Sequence, residues 1–206
     1  LLTNEARIYA DLGRFDAAES AFASAVAIFE QLSDDGRLLH CQVASLFSKQ
    51  RSGEIHLTQQ WVKLYEEAKR LEHAELQIRI QLFLAAHLFE QGNVDLAFRA
   101  LDTAQSDCER QKVPMLEDTT LMRAFFHARS GETDRALKLI EDLCMETYAA
   151  TINVTLGWIH LFNSQLQQAQ CCLEAAERHS AQLLPFTGAR IRVRQLKDAV
   201  QQAQIY

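Results

Sequence analysis

The sequence predicts an all-α fold: a solenoid of about five stacked helical hairpins closed by a C-terminal capping helix. Three observations carry that prediction. Gly13, Gly53, Gly92 and Gly131 recur at intervals of 40, 39 and 39 residues, and a period of this size marks helical units that bury their apolar faces only against one another. The 206 residues include only 7 glycines and 2 prolines, too few turn-formers for a strand-rich chain of this length. Hydrophobic residues make up 48% and charged residues 23%, the balance of a chain with a packed core rather than a disordered one.

Breakers and caps bound the helices. Ser33-Asp34-Asp35-Gly36, Gln91-Gly92-Asn93, Pro114, Ser130-Gly131 and Leu184-Pro185 are the stops. They leave helices at about 1–11, 16–32, 37–50, 54–71, 74–90, 94–111, 115–130, 134–147, 149–163, 166–183 and 188–205. The repeats occupy 1–185 and the capping helix 186–206. Leu1 to Asn4 show no initiator methionine, basic segment or signal-type apolar core, so the chain reads as a piece of a longer protein. The apolar run Leu82 to Leu88 is far shorter than the roughly 20 residues that span a bilayer.

Charge and cysteine usage narrow the function. A net charge of −6, from 21 basic and 27 acidic residues, repels nucleic acid and anionic lipid, so neither is an expected partner. Cys41, Cys108, Cys144, Cys171 and Cys172 form no zinc-type spacing, and adjacent Cys171 and Cys172 point about 100° apart on a helix. A reducing, cytoplasmic setting without metal or cofactor is expected. No nucleotide loop, partnered nucleophile or metal-binding helix is present, and the acidic pairs Glu66-Glu67 and Asp34-Asp35 suit a solvated face and a helix start. The chain is not expected to be an enzyme.

Around each hinge the same residue types return. The first unit has Tyr9, Gly13, Phe15, Ala18, Phe22 and Ala25; the third has Leu88, Gly92, Val94, Ala97, Leu101 and Ala104. The fourth has His127, Gly131, Thr133, Ala136, Ile140 and Leu143. The fifth lacks the glycine but keeps Leu156-Gly157 and then Leu166, Ala169, Leu173 and Ala176. In the second, Gly53, Ile55 and Thr58 match. Small residues fit where helices cross closely and large ones fill the holes between units.

This arrangement resembles the tetratricopeptide repeat, in a form longer than the usual 34 or so residues. The resemblance covers nearly the whole chain and implies a right-handed superhelix whose first helices line a concave groove. It resembles the regulatory arms of large bacterial signalling proteins, such as diguanylate cyclases of the GGDEF type or transcriptional activators. Carried onto this chain, the groove positions are Leu82, Phe83, Ala86 and Phe89, then Leu121, Met122, Phe125 and Arg129, then Val154, Trp158, Leu161 and Phe162. The first unit offers Thr3, Asn4, Arg7 and Asp11, which do not match the clamp that holds chaperone tails in this family. The implied partner site is Phe83, Phe89, Met122, Phe125, Arg129, Trp158 and Phe162, for a protein or peptide ligand.

Two readings of the strip stay open, a binding groove or a face buried against neighbouring helices or the last helix. A scaffold that self-associates through it, as a homodimer, is the alternative function. His127 and His160 occupy equivalent positions and read as packed core histidines before they read as metal ligands; Tyr148, Trp61 and Tyr65 likewise read as packing residues. In the last helix, Val193, Leu196, Val200 and Ala203 step as a coiled-coil seam beside Arg190, Arg192, Arg194 and Lys197, with only Asp198 opposing. That helix either caps the stack or also continues toward an output domain.

Overall fold

In the computed structural model, residues 2–141, 143, 145–180 and 188–204 are described. They form eleven α-helices: α1 (Leu2–Asp11), α2 (Phe15–Gln31), α3 (Asp35–Arg51), α4 (Thr58–Arg70), α5 (Ala74–Glu90), α6 (Val94–Gln111), α7 (Leu116–Arg129), α8 (Thr133–Glu141), α9 (Met145–Phe162), α10 (Leu166–Ser180) and α11 (Gly188–Ala203). No strand occurs among the described residues. The chain divides into two compact units, Leu1–Leu116 and Glu117–Tyr206. The expected break at Leu184-Pro185, and with it the expected 185/186 boundary, lies outside the described residues.

The hinges set the architecture. At each one a residue in the left-handed region reverses the chain and returns two amide hydrogens to the helix just ended. Gly13 N donates to the Ala10 carbonyl (3.1 Å) and Arg14 N to that of Tyr9 (2.9 Å); Gly92 and Asn93 do the same to Phe89 (3.0 Å) and Leu88 (2.9 Å). The left-handed residues from 13 to 131 are Gly13, Ser33, Gly53, Glu72, Gly92, Lys112 and Gly131. They fall 19 or 20 residues apart, so the glycine period is two helices long. Ser164 takes the fifth hinge without a glycine.

The alternation has a conformational cause. The four glycines hold φ between 73° and 97°, whereas Ser33, Glu72, Lys112 and Ser164 sit between 53° and 57°, near the centre of the left-handed well that ordinary residues can enter. A Cβ added at Gly13, Gly53, Gly92 or Gly131 meets nothing within 4 Å. These glycines are there for the backbone angle and not for room.

Within each unit consecutive helices pack, and odd-numbered helices also touch the next odd-numbered one: α1 with α3 and α3 with α5 in the first unit, α9 with α11 in the second. Ala18, Ala97, Ala136 and Ala169, each five residues past its hinge, are all fully buried. Phe22, Leu101, Ile140 and Leu173, four further on, fill the neighbouring space at 5% exposure or less. Ala6, Ala85 and Ala124, seven residues before their hinges, are also fully buried. The methyl-sized positions let helices approach and the large ones plug the gaps.

The second hairpin departs from this register. Leu57 and Trp61, four and eight residues past Gly53, are buried at 1% and 0%, while Ile55 is 59% exposed. The expected match through Ile55 and Thr58 is therefore out by one residue. The helix expected from residue 54 starts at Thr58, because Leu57 is drawn into the core and the Gln91 side chain donates to the Ile55 carbonyl. A second difference lies at α8, expected to reach 147. It ends at Glu141, closed by a tight turn in which Leu143 N donates to the Ile140 carbonyl at 3.0 Å.

In the second unit α11 lies on α9 and α10. Val193, Leu196 and Val200 are buried with Val154, Ala169, Leu173 and Ala176, and Lys197 pairs with Glu177 at 2.9 Å. Three of the four residues of the expected seam thus face the chain's own core, and Ala203 is exposed. A Cβ built on Gly157 would stand 2.5 Å from Leu196 Cδ2, so this helical glycine, unlike the hinge glycines, is present for space.

Two stability outcomes follow from these two glycine roles. Gly53→Ala is expected to destabilise by about 1–2 kcal/mol, whereas Ser164→Gly stays within about 0.5 kcal/mol of the parent; urea denaturation measures both. Gly157→Ala is expected to lose about 1 kcal/mol or more by overpacking. In a Leu196→Ala background, where the clash is gone, the same change gains up to about 1 kcal/mol of helix propensity, a reversal of sign read from the double-mutant cycle.

Candidate functional site

The residues that the repeat register assigns to the inner face lie on odd-numbered helices, and the structure sorts them by burial. Leu82, Leu121 and Val154 are core, at 6%, 5% and 4% exposure. Phe83, Phe89, Met122, Phe125 and Trp158 are half-buried, and Arg129 and Phe162 are exposed. The expected site is thus neither an open strip nor a sealed core.

In the second unit four of these residues form one cluster. Phe125 on α7 meets Phe162 on α9 edge-on with ring centroids 5.6 Å apart, and meets Trp158 edge-on at 6.5 Å. Trp158 and Phe162, one helical turn apart, stack at 5.7 Å. The Arg129 guanidinium lies 6.0 Å from the centre of the Phe125 ring. Trp158 and Leu161 also pack against the core to which α9, α10 and α11 contribute. Phe162 remains 38% exposed. Offset and edge-on aromatic pairs of this kind add stability beyond their buried area.

A second aromatic group stands in the first unit. Phe83 on α5 stacks on Phe47 of α3 at 4.2 Å and tilts against Trp61 at 5.5 Å. The Arg51 guanidinium lies 5.9 Å from the Phe47 ring and pairs with Asp11 at 2.6 Å. Phe47 and Arg51 were not singled out by the sequence reasoning. Yet they precede Gly53 by six and two residues, as Phe125 and Arg129 precede Gly131, so the hinge register carried the signal. Trp61 is fully buried and Tyr65 donates to Asp107 at 3.0 Å, which makes both packing residues as expected.

The equivalent histidines each reach across their own hinge. His127 Nδ1 is 3.0 Å from Glu132 Oε2, and His160 Nδ1 is 2.7 Å from Gln165 Oε1. Among the described residues no group of three or more His, Cys, Asp or Glu side chains converges as a metal site. Burial, with Arg135 nearby, holds the His127 imidazole below its usual 6.5, while the Arg135 hydrogen bond lowers the Glu132 carboxyl. In the first unit burial likewise lowers His87, whose Nε2 lies 3.0 Å from Gln91 Nε2. Among the described cysteines, Cys41 and Cys108 are buried, Cys172 is half-buried and Cys171 is exposed; all four are free thiols.

No protein-family model matches the chain, and comparison with curated proteins and with solved structures finds no match. Among the described residues no helix is long and apolar enough to cross a membrane.

His87 and His127 are expected to make the fold acid-sensitive. Both bind a proton less readily folded than unfolded, so their contribution is complete above pH 6.5 and is lost as the pH falls below it. Stability is expected to be level between pH 8 and 7 and to fall between pH 6.5 and 5, each group adding a slope of at most about 1.4 kcal/mol per pH unit. His87→Gln and His127→Gln each flatten that slope in denaturation midpoints measured across the range.

Proposed function

We propose that this chain is a non-catalytic protein- or peptide-binding domain of the tetratricopeptide type, a right-handed solenoid of about five hairpins. In this reading it is the sensory or regulatory part of a larger cytoplasmic bacterial signalling protein, such as a GGDEF-type diguanylate cyclase or a transcriptional activator. The observation that carries the reading is the cluster of Phe125, Trp158 and Phe162 beside Arg129. Aromatic and arginine side chains are the residue types that dominate binding energy at protein interfaces, and here Phe162 keeps 38% of its surface in solvent. The register of the hinges and the fully buried alanines support the repeat assignment.

A partner seated on the cluster selects one arrangement of the odd-numbered helices by binding it better than others. α11, packed on α9 and α10, is the element placed to pass that preference on. The competing reading, a scaffold that pairs with its own copy through the same cluster, rests on the same exposed aromatic surface.

Arg129→Ala with Phe162→Ser tests both readings, since both positions are exposed and the change spares the core. The expected outcome is an unchanged helical melt with capture of the partner reduced at least tenfold, as loss of a hot spot of about 2 kcal/mol produces. Light scattering over a dilution series accompanies it. A dimer that the double substitution converts to monomer replaces the partner reading with the scaffold reading, and undiminished capture by a monomer removes the cluster from the site.

A further inference from the structure

Away from the aromatic clusters, folding of the first unit brings together two histidines 33 residues apart. His40 lies on α3, and His73 is the cap residue from which α5 starts. Their Nε2 atoms are 2.9 Å apart, with ring centroids at 4.6 Å and planes at 77°. At this separation one Nε2 carries a hydrogen and donates while the other is bare and accepts. The contact therefore requires the two rings to hold opposite tautomers.

The charges around the pair oppose further protons. Arg7 from α1 and Arg79 from α5 act on His40, with Glu75 of α5 the one carboxylate in its favour. Glu75 is already engaged by Arg79 at 2.5 Å. On the other helices packed against α3, Glu19 of α2 is held by Lys49 at 3.1 Å, and Arg70 of α4 by Glu67 at 2.6 Å and Asp35 at 3.6 Å. Burial, then His73 and the two guanidiniums, push the His40 imidazole below its usual 6.5. The same two arginines make the pair a poor seat for a metal cation.

We propose that the contact between His40 and His73 is an acid-released latch joining α3 to α5. The contact stays closed as long as one of the two facing nitrogens is bare. One added proton leaves an imidazolium donating to an imidazole, and the contact survives. A second places a hydrogen and a positive charge on both facing nitrogens, and the rings part. α3 and α5 are neighbouring odd-numbered helices, so parting the rings loosens the spacing of that face in the first unit. The closed form excludes the second proton and the open form takes it up, so the opening equilibrium rises as the pH falls, by up to tenfold per pH unit.

Native-state hydrogen exchange on the full chain, corrected for the intrinsic chemistry of exchange, tests the latch between pH 7.5 and 5.5. The expected result is local opening of α3 and the first turn of α5 that increases about three- to tenfold per pH unit below 6.5, while α6 follows only the global stability. His40→Gln, which keeps a hydrogen-bonding group but does not titrate, is expected to make that opening independent of pH. His87→Gln, which removes the fully buried histidine of the unit, leaves it in place. PH-independent opening in the unsubstituted chain overturns the proposal, as does the same pH dependence surviving in both His40→Gln and His73→Gln. Imidazole ¹⁵N spectra of the unsubstituted chain give a reading that needs no variant. Opposite tautomers at pH 7.5, lost as α3 opens at lower pH, support the latch, and identical tautomers at pH 7.5 overturn it.

Discussion

Every helix end from Asp11 to Arg129 depends on one backbone requirement: a residue that can turn left-handed and hand two amide hydrogens back to the helix it closes. A helix without such an ending must satisfy its last carbonyls with water, side chains or a tighter turn, as after α8. Spaced at 19 or 20 residues, the requirement fixes helices of similar length, and helices of similar length can lie side by side with their crossing points in register. The buried alanines follow from this, since each stands at a constant distance from its hinge. The core of each unit is assembled from the turns outward.

The same regularity distributes the chemistry. Because the distance from hinge to helix face is constant, an aromatic residue six positions ahead of a hinge and an arginine two positions ahead land on the same side of their helix. The pairing of Phe47 with Arg51 and of Phe125 with Arg129 arises in this way. What differs between the two sets is local. Arg51 is tied to Asp11 and Phe83 lies flat on Phe47, whereas Phe162 stands at the open edge of its cluster.

Much of this was legible in the residues. All eleven expected helices are present, and most ends lie where breakers and hinge glycines place them, because glycine marks a backbone angle that other residues resist. The sequence was silent where no such residue marks the event. The turn after Glu141 has neither glycine nor proline, and the start of α4 moves because burial of Leu57 and a bond from Gln91, 36 residues away, outweigh local helix preference. The fifth hinge was hidden because Ser164 adopts the left-handed well at an angle open to a serine. For the candidate site, repeat register identified Phe125, Arg129, Trp158 and Phe162, but separating them from the core residues Leu121 and Val154 required packing. The meeting of His40 with His73 has no trace in local pattern, since two separate helix starts must be folded together before the rings touch.

The fit of Leu196 against Gly157 bears on how α11 can move. A branched side chain seated where the opposing helix has no side chain acts as a key in a notch: sliding α11 along α9 by one turn would drive the leucine against side chains a turn away, Val154 or Leu161. Axial translation is thereby obstructed while rocking about the notch is left open. Any mechanical linkage through this helix is a pivot and not a piston.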